Sequence, residues 1–201
     1  MNPHHFMTSN SYSNQLIQAA QRGEIERVVE IIPLADPTHQ QNSALCVAVA
    51  NRHRECVELL IPVSSFSEKD TRALSLAVHK GYKEMVALLV PLTNLELIGP
   101  DLLCTAVVQG YVGCLQLLIE HIDPRLQESQ ALAVAVRERN IQCVDILFPV
   151  SDPQAALHLL MRKYPGADYM HDLLNEKIAG EQKKRLLAHV DASLAKRTRK
   201  I

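Results

Sequence analysis

Five cysteines and nine histidines are the side chains of this 201-residue chain best suited to hold a metal or attack a carbonyl. His53 and Cys56 stand one helical turn apart, with Cys46 in the same stretch. A zinc site needs four such donors in tetrahedral array, and no C-x-x-C spacing is present. Cys56, Cys114 and Cys143 instead keep step with a 29-residue period, as a small buried residue does when a segment is copied. His4-His5 is too short a set of donors. A nucleophilic cysteine would need an imidazole and an orienting carboxylate beside it, and these types are scattered. The one gathering is His158, Asp168, His171 and Asp172, the alternative location for an enzyme site at the junction with the C-terminal helices. Seven glycines in no G-x-x-x-x-G-K-[ST] or G-x-G-x-x-G pattern leave no phosphate loop. The expectation is no catalytic residue, no metal and no cofactor.

The elements around these residues must be helices. The chain is 47% hydrophobic and only 4% aromatic, and abundant Ala, Val and Leu suit closely packed helices better than sheets. An odd cysteine count without a disulfide pattern points to a reducing, cytoplasmic setting. The opening MNPHHFMTSNSYSNQ has neither a basic n-region nor an apolar h-region, so no secretory signal is expected. Residues 102–119, LLCTAVVQGYVGCLQLLI, are uncharged and nearly long enough to span a bilayer. They carry Gln109, Gly110, Gly113 and Gln116 and align with charged segments, so no membrane contact is expected.

That alignment comes from a repeat. Ala19, Ala48, Ala77, Ala106 and Ala135 are spaced 29 residues apart, as are Leu45, Leu74, Leu103 and Leu132. Ile31, Leu60, Leu89, Leu118 and Leu147 follow the same step, and Pro33, Pro62, Pro91 and Pro149 fall on it too. Five segments in one phase define five copies of one supersecondary unit. In the third copy Leu74, Ala77 and Val78 lie on one face of a first helix. Gly81 lets the chain turn in the left-handed region, Val86, Leu89 and Val90 point inward from a second helix, and Pro91 closes it. Asn42, Thr71 and Ser129 share one repeat position, where they are expected to cap the first helix. Pro100 takes that place in the fourth copy, leaving Asp101 or no cap. Alanine recurs where stacked hairpins approach most closely.

Residues 74–90, LSLAVHKGYKEMVALLV, resemble the helix-turn-helix part of an ankyrin repeat, whose usual form runs L-x-L-A-A-x-x-G-H-x-E-V-V-x-L-L-L. LCVAVANRHRECVELLI matches with Arg52 at the usual glycine, and LAVAVRERNIQCVDILF with Arg139 there. LCTAVVQGYVGCLQLLI keeps Gly110 but has Gly113 where Glu is usual, and LIQAAQRGEIERVVEII keeps Gly23. The resemblance covers about residues 15 to 151 and implies an all-α solenoid of stacked hairpins. The period falls four short of the family's usual 33, and the missing residues fall where the family places a β-hairpin finger, so short loops are expected. The endings LIPVSS and LFPVSD resemble degenerate ankyrin arrays of bacterial proteins.

The expected organisation is a polar tail over 1–14, five ankyrin-like repeats over 15–152, and a C-terminal cap over 153–201. That cap comprises a degenerate sixth first helix, AALHLLMRKYPG, and two amphipathic helices. The resemblance implies a non-enzymatic module that binds another protein through the concave first-helix face and the loop tips. It also admits a bacterial effector acting on a host protein. The matching positions are Asn51, Ser75, His79, Lys80, Gln109, Arg137 and Glu138, with Phe66, Leu95 and Leu97 as apolar connector residues that either anchor a partner or fold back over the core. A monomer is expected. Residues 181–201 carry a net charge of +5 and the remainder −6. A solvated helix end is the first reading of that tail, and a nucleic-acid or anionic-surface contact the alternative.

Overall fold

The computed structural model describes residues 9–66, 71–166 and 168–198, which form α-helices and 3-10 turns with no strand among them. Two compact units divide between Asp123 and Pro124. The first contains α1 (Ser9–Arg22), α2 (Ile25–Ile31), α3 (His39–Ala50), α4 (Arg54–Leu60), α5 (Arg72–Lys80), α6 (Lys83–Leu89), α7 (Gly99–Val108) and α8 (Val112–Leu118). The second contains α9 (Leu126–Arg137), α10 (Ile141–Leu147), α11 (Pro153–Lys163) and α12 (Asp168–Thr198).

In the first unit, the first helices form one row, α1 on α3, α3 on α5 and α5 on α7, while α2 packs on α4 and α6 on α8 in the other. The repeating alanines lie in the core: Ala48, Ala77 and Ala106 are all 0% exposed. Leu16, Leu45, Leu74 and Leu103 from the first helices and Leu60, Leu89 and Leu118 from the second fill it, each such side chain contributing about 1.5–3 kcal/mol on removal from water. Ala135, Leu132 and Leu147 repeat the pattern in the second unit, so the architecture is an all-α helical repeat.

The turn inside each hairpin needs one left-handed residue, and the period supplies it every time. Gly23, Arg52, Gly81, Gly110 and Arg139 have φ of 74°, 64°, 70°, 70° and 54°. At Gly81 an added Cβ would lie 2.8 Å from the Tyr111 ring, and at Gly23 2.6 Å from His53. Arginine meets the next hairpin's ring differently: Arg52 lies over Tyr82 at 5.4 Å and Arg139 over Tyr169 at 4.1 Å, a cation–π contact that offsets part of the torsional cost. The second helices end in short 3-10 turns, Ile32–Leu34, Ile61–Val63 and Val90–Leu92, each with proline in its first positions. They stand where long fingers would otherwise emerge.

Three expectations change. Asn42 and Ser129 are not caps. They end left-handed stretches, Gln40–Asn42 and Gln127–Ser129, with every φ between 50° and 59°, and their side chains reach the connector that ends their own repeat. Asn42 Nδ2 donates to the Ser65 carbonyl at 2.6 Å, and the Ser65 N–H donates back to Oδ1 at 3.2 Å. Ser129 Oγ accepts the Asp152 N–H at 2.8 Å. Ser13, at the same repeat position, accepts the Asp36 N–H at 2.9 Å. These three are the buried polar residues among those described, and each is buried because it satisfies a backbone group that would otherwise be orphaned. Thr71 sits at the start of α5 without a side-chain cap bond, and α7 begins at Gly99 with no side-chain cap at Ile98.

Secondly, α1 starts at Ser9, inside the stretch expected as a polar tail; residues 1–8, with His4 and His5, lie outside the described residues. Thirdly, α12 is one helix where two were expected. Gly180 does not break it: a lone glycine costs about 1 kcal/mol in a helix, and nothing packs within 4 Å to impose a bend. Asp152 does cap α11, accepting from Gln154 and Ala155 N–H at 3.0 and 3.1 Å.

Candidate functional site

On α5, Leu74, Ala77 and Val78 turn inward, so the 3.6-residue period leaves Arg72, Ser75, Leu76 and His79 on the opposite stripe. These four line an open groove of about 550 Å³ with Cys46 of α3 and Ile98, Asp101, Leu102 and Thr105 at and within α7. Short side chains at Cys46, Ser75 and Thr105 make the space, and Leu76, Ile98 and Leu102 give its lining apolar surface. Arg72 is held at one end: its Nη1 donates to Gln41 Oε1 at 3.2 Å and to the Gln40 carbonyl at 3.5 Å. The left-handed Gln40–Asn42 stretch presents both acceptors. His79 and the adjacent Lys80 are exposed at the other end.

The expected site residues divide. Ser75 and His79 line the groove. Asn51 and Gln109 are exposed at the ends of α3 and α7, with Asn51 Nδ2 donating to the Val47 carbonyl at 2.8 Å. Phe66 and Leu95 are half-buried, whereas Leu97 is 81% exposed. Arg137 and Glu138 belong to the second unit and are differently engaged. Arg137 donates to Tyr164 Oη at 2.9 Å and pairs with Glu138 at 2.6 Å, and both contacts raise its pKa further. The corresponding space between α9 and α11, lined by Ala133, Arg137 and Tyr164 among others, is only about 40 Å³.

Sequence reasoning missed Arg72, Leu76, Asp101 and Thr105. A signal was present: Arg72 and Asp101 share one repeat position and Leu76 and Thr105 another, so the outward stripe extends one turn beyond Ser75 toward the helix start.

Cys56, Cys114 and Cys143 are at most 1% exposed, and burial pushes each thiol pKa up, away from the thiolate that nucleophilic or metal chemistry requires. All five cysteines are unbridged. His158, Asp168 and Asp172 are exposed, and His171 Nε2 is buried with no hydrogen-bond partner. Among the described residues no three His, Cys, Asp or Glu side chains gather to hold a metal, and no helix is long and apolar enough to cross a membrane.

Paired short helices in register, a left-handed turn in each pair and a groove along the first helices define a helical-repeat array. Residues 16–98 match the family model of ankyrin repeats in three copies, so this part of the chain is similar to that family. No curated protein matches the chain. Ankyrin repeats are in general protein–protein interaction modules.

Proposed function

We propose that the chain is a binding module without a catalytic site of its own, and that it takes a partner protein in the groove between α5 and α7. The groove carries this reading. It is large and lined by apolar and polar side chains together, as a site for an inserted side chain should be, and the stripe that lines it lies opposite the packed core. Asn51, Lys80 and Gln109 extend the same first-helix face, and exposed Leu97 lies in the connector just before Ile98. An effector role on a host protein rests only on the LIPVSS and LFPVSD endings.

Filling the groove tests the proposal. Ser75→Trp should lower affinity for a protein partner recovered with the full chain by about tenfold or more, as loss of a central contact does. Its melting temperature should stay close to that of the parent. Glu55→Lys, on the exposed side of α4, is the control and should spare both. Binding that survives Ser75→Trp and fails with Glu55→Lys would move the interface to the second helices.

A further inference from the structure

The two helical rows of the first unit carry opposite charge. The first helices present Arg22, Arg72 and Lys80 against one carboxylate, Asp101. The second helices present Glu26, Glu30, Glu55, Glu58 and Glu84 against Arg27, Arg54 and Lys83. Pairing is partial in both rows, and Arg22 of the first is held by Glu24. Glu30 is bound by Arg27, Glu58 by Arg54 and Glu84 by Arg52. Arg72 and Lys80 have no carboxylate partner among the described residues, and Arg72 is bonded only through Nη1 to neutral acceptors. Two uncompensated cations thus stand at either end of the groove segment of α5, about 12 Å apart along the helix axis, with Ser75, Leu76 and the apolar lining between them.

From this charge complementarity we infer that the groove selects an acidic segment of another protein: an extended stretch with two carboxylates and a large apolar side chain between them. An extended chain covers the distance between the cations in about three to four residues, which sets the carboxylate spacing. Arg72, steadied by Gln40 and Gln41, receives one carboxylate in a charge-assisted bond. Lys80 and the neighbouring His79 face the other, and the apolar side chain enters over Leu76, Ile98 and Leu102. Asp101, at the same repeat position as Arg72, lines the groove beside it and disfavours a second acidic group at that end. The inference rests on the proposed groove and adds the chemistry of its occupant.

Selection of short random peptides displayed against the full chain at low salt tests it. The expected outcome is enrichment of sequences with two Asp or Glu about three to four residues apart and Leu, Ile, Met or Phe between them. A synthetic peptide of that pattern should lose about tenfold in affinity when its carboxylates become amides, and again on Arg72→Glu with Lys80→Glu, with salt weakening the parent interaction. Repeating the selection on the double variant should turn the preference to Lys and Arg. Lys80→Glu alone gives the same readout should the Arg72 change disturb α5. Neutral or basic winners, no enrichment, or indifference to the charge variants would overturn the inference. Ser75→Trp separates the two levels: peptides that bind, ignore charge and are lost with Ser75→Trp sink only the acidic preference, whereas peptides indifferent to Ser75→Trp sink the groove itself.

Discussion

His79 and Arg137 occupy the same position of the repeat, yet one stands exposed at the rim of a groove of about 550 Å³ and the other is bound to Tyr164 beside a void of about 40 Å³. The repeat decides which way a side chain leaves its helix. What the next element brings toward it decides whether the side chain is available. In the first unit α7 offers short Thr105 and Asp101; in the second, Tyr164 just after α11 lines the small space with Ala133 and bonds Arg137. A period therefore marks candidate binding positions, and only the neighbouring helix separates a surface from a seal.

The widest gap between sites should come from the bonds that close three of the repeats. Asn42→Ala removes both bonds to Ser65, leaves buried backbone groups unmet and vacates a left-handed position that asparagine tolerates. A loss of about 3 kcal/mol in denaturant unfolding is expected. Ser129→Ala, with one bond to replace, should cost about half that. Equal and negligible losses would mean water serves the connector as well as the side chains do.

Next is the comparison itself. Arg137→Glu should destabilise by about 2 kcal/mol, since it removes a charge-assisted bond and sets a carboxylate beside Glu138. His79→Glu should change stability by no more than about 0.5 kcal/mol. Similar melting shifts in the two variants would dissolve the contrast between open and closed grooves.

The hairpin turns give a smaller contrast. Gly81→Ala is expected to cost about 1–2 kcal/mol, combining the left-handed torsion with displacement of the Tyr111 ring. Arg139→Gly relaxes the torsion but gives up the contact with Tyr169, so thermal unfolding should move little. A large loss there would show the cation–π contact to outweigh the strain.

Smallest is a pH effect. Burial raises the Cys56, Cys114 and Cys143 thiols above their ordinary 9.0, so the unfolded chain ionises first. Their stabilising contribution is complete below pH 9.0 and is lost as pH rises above it. Replacing all three by valine should flatten the alkaline fall in stability measured by urea titration. An unchanged slope would exclude these thiols as its source.

Much of the fold was legible in the chain because its determinants are local and periodic. The Ala and Leu rows, the left-handed turns at Gly23, Gly81 and Gly110 and the proline-ended second helices each follow from residue type at a fixed spacing. The closing bonds were not, because Asn42 and Ser129 act on backbone groups in the connector beyond the second helix, and a polar residue before a helix reads first as a cap. The left-handed stretches contain no glycine, so composition gave no sign of them. Of the site, Ser75 and His79 were readable as an outward stripe. The groove depends on how far α7 stands from α5 and on Ile98 arriving from a connector, which no helical period encodes. Arg137 looked equivalent to His79 for the same reason: Tyr164 follows α11, the first helix of a copy in which the repeat has already decayed.

Each closing bond joins residues 23 apart, Ser13 to Asp36, Asn42 to Ser65 and Ser129 to Asp152, within a period of 29. These three copies are thereby each tied into a ring, and the few residues that follow belong to no ring. Length changes are consequently not equivalent along the repeat. An added residue inside the ring shifts the donor from its acceptor and the helices from their register. One added between rings leaves both intact. The spacer is thus the segment free to grow or shrink over generations, and a longer, finger-bearing repeat could be reached from this one by insertion there alone.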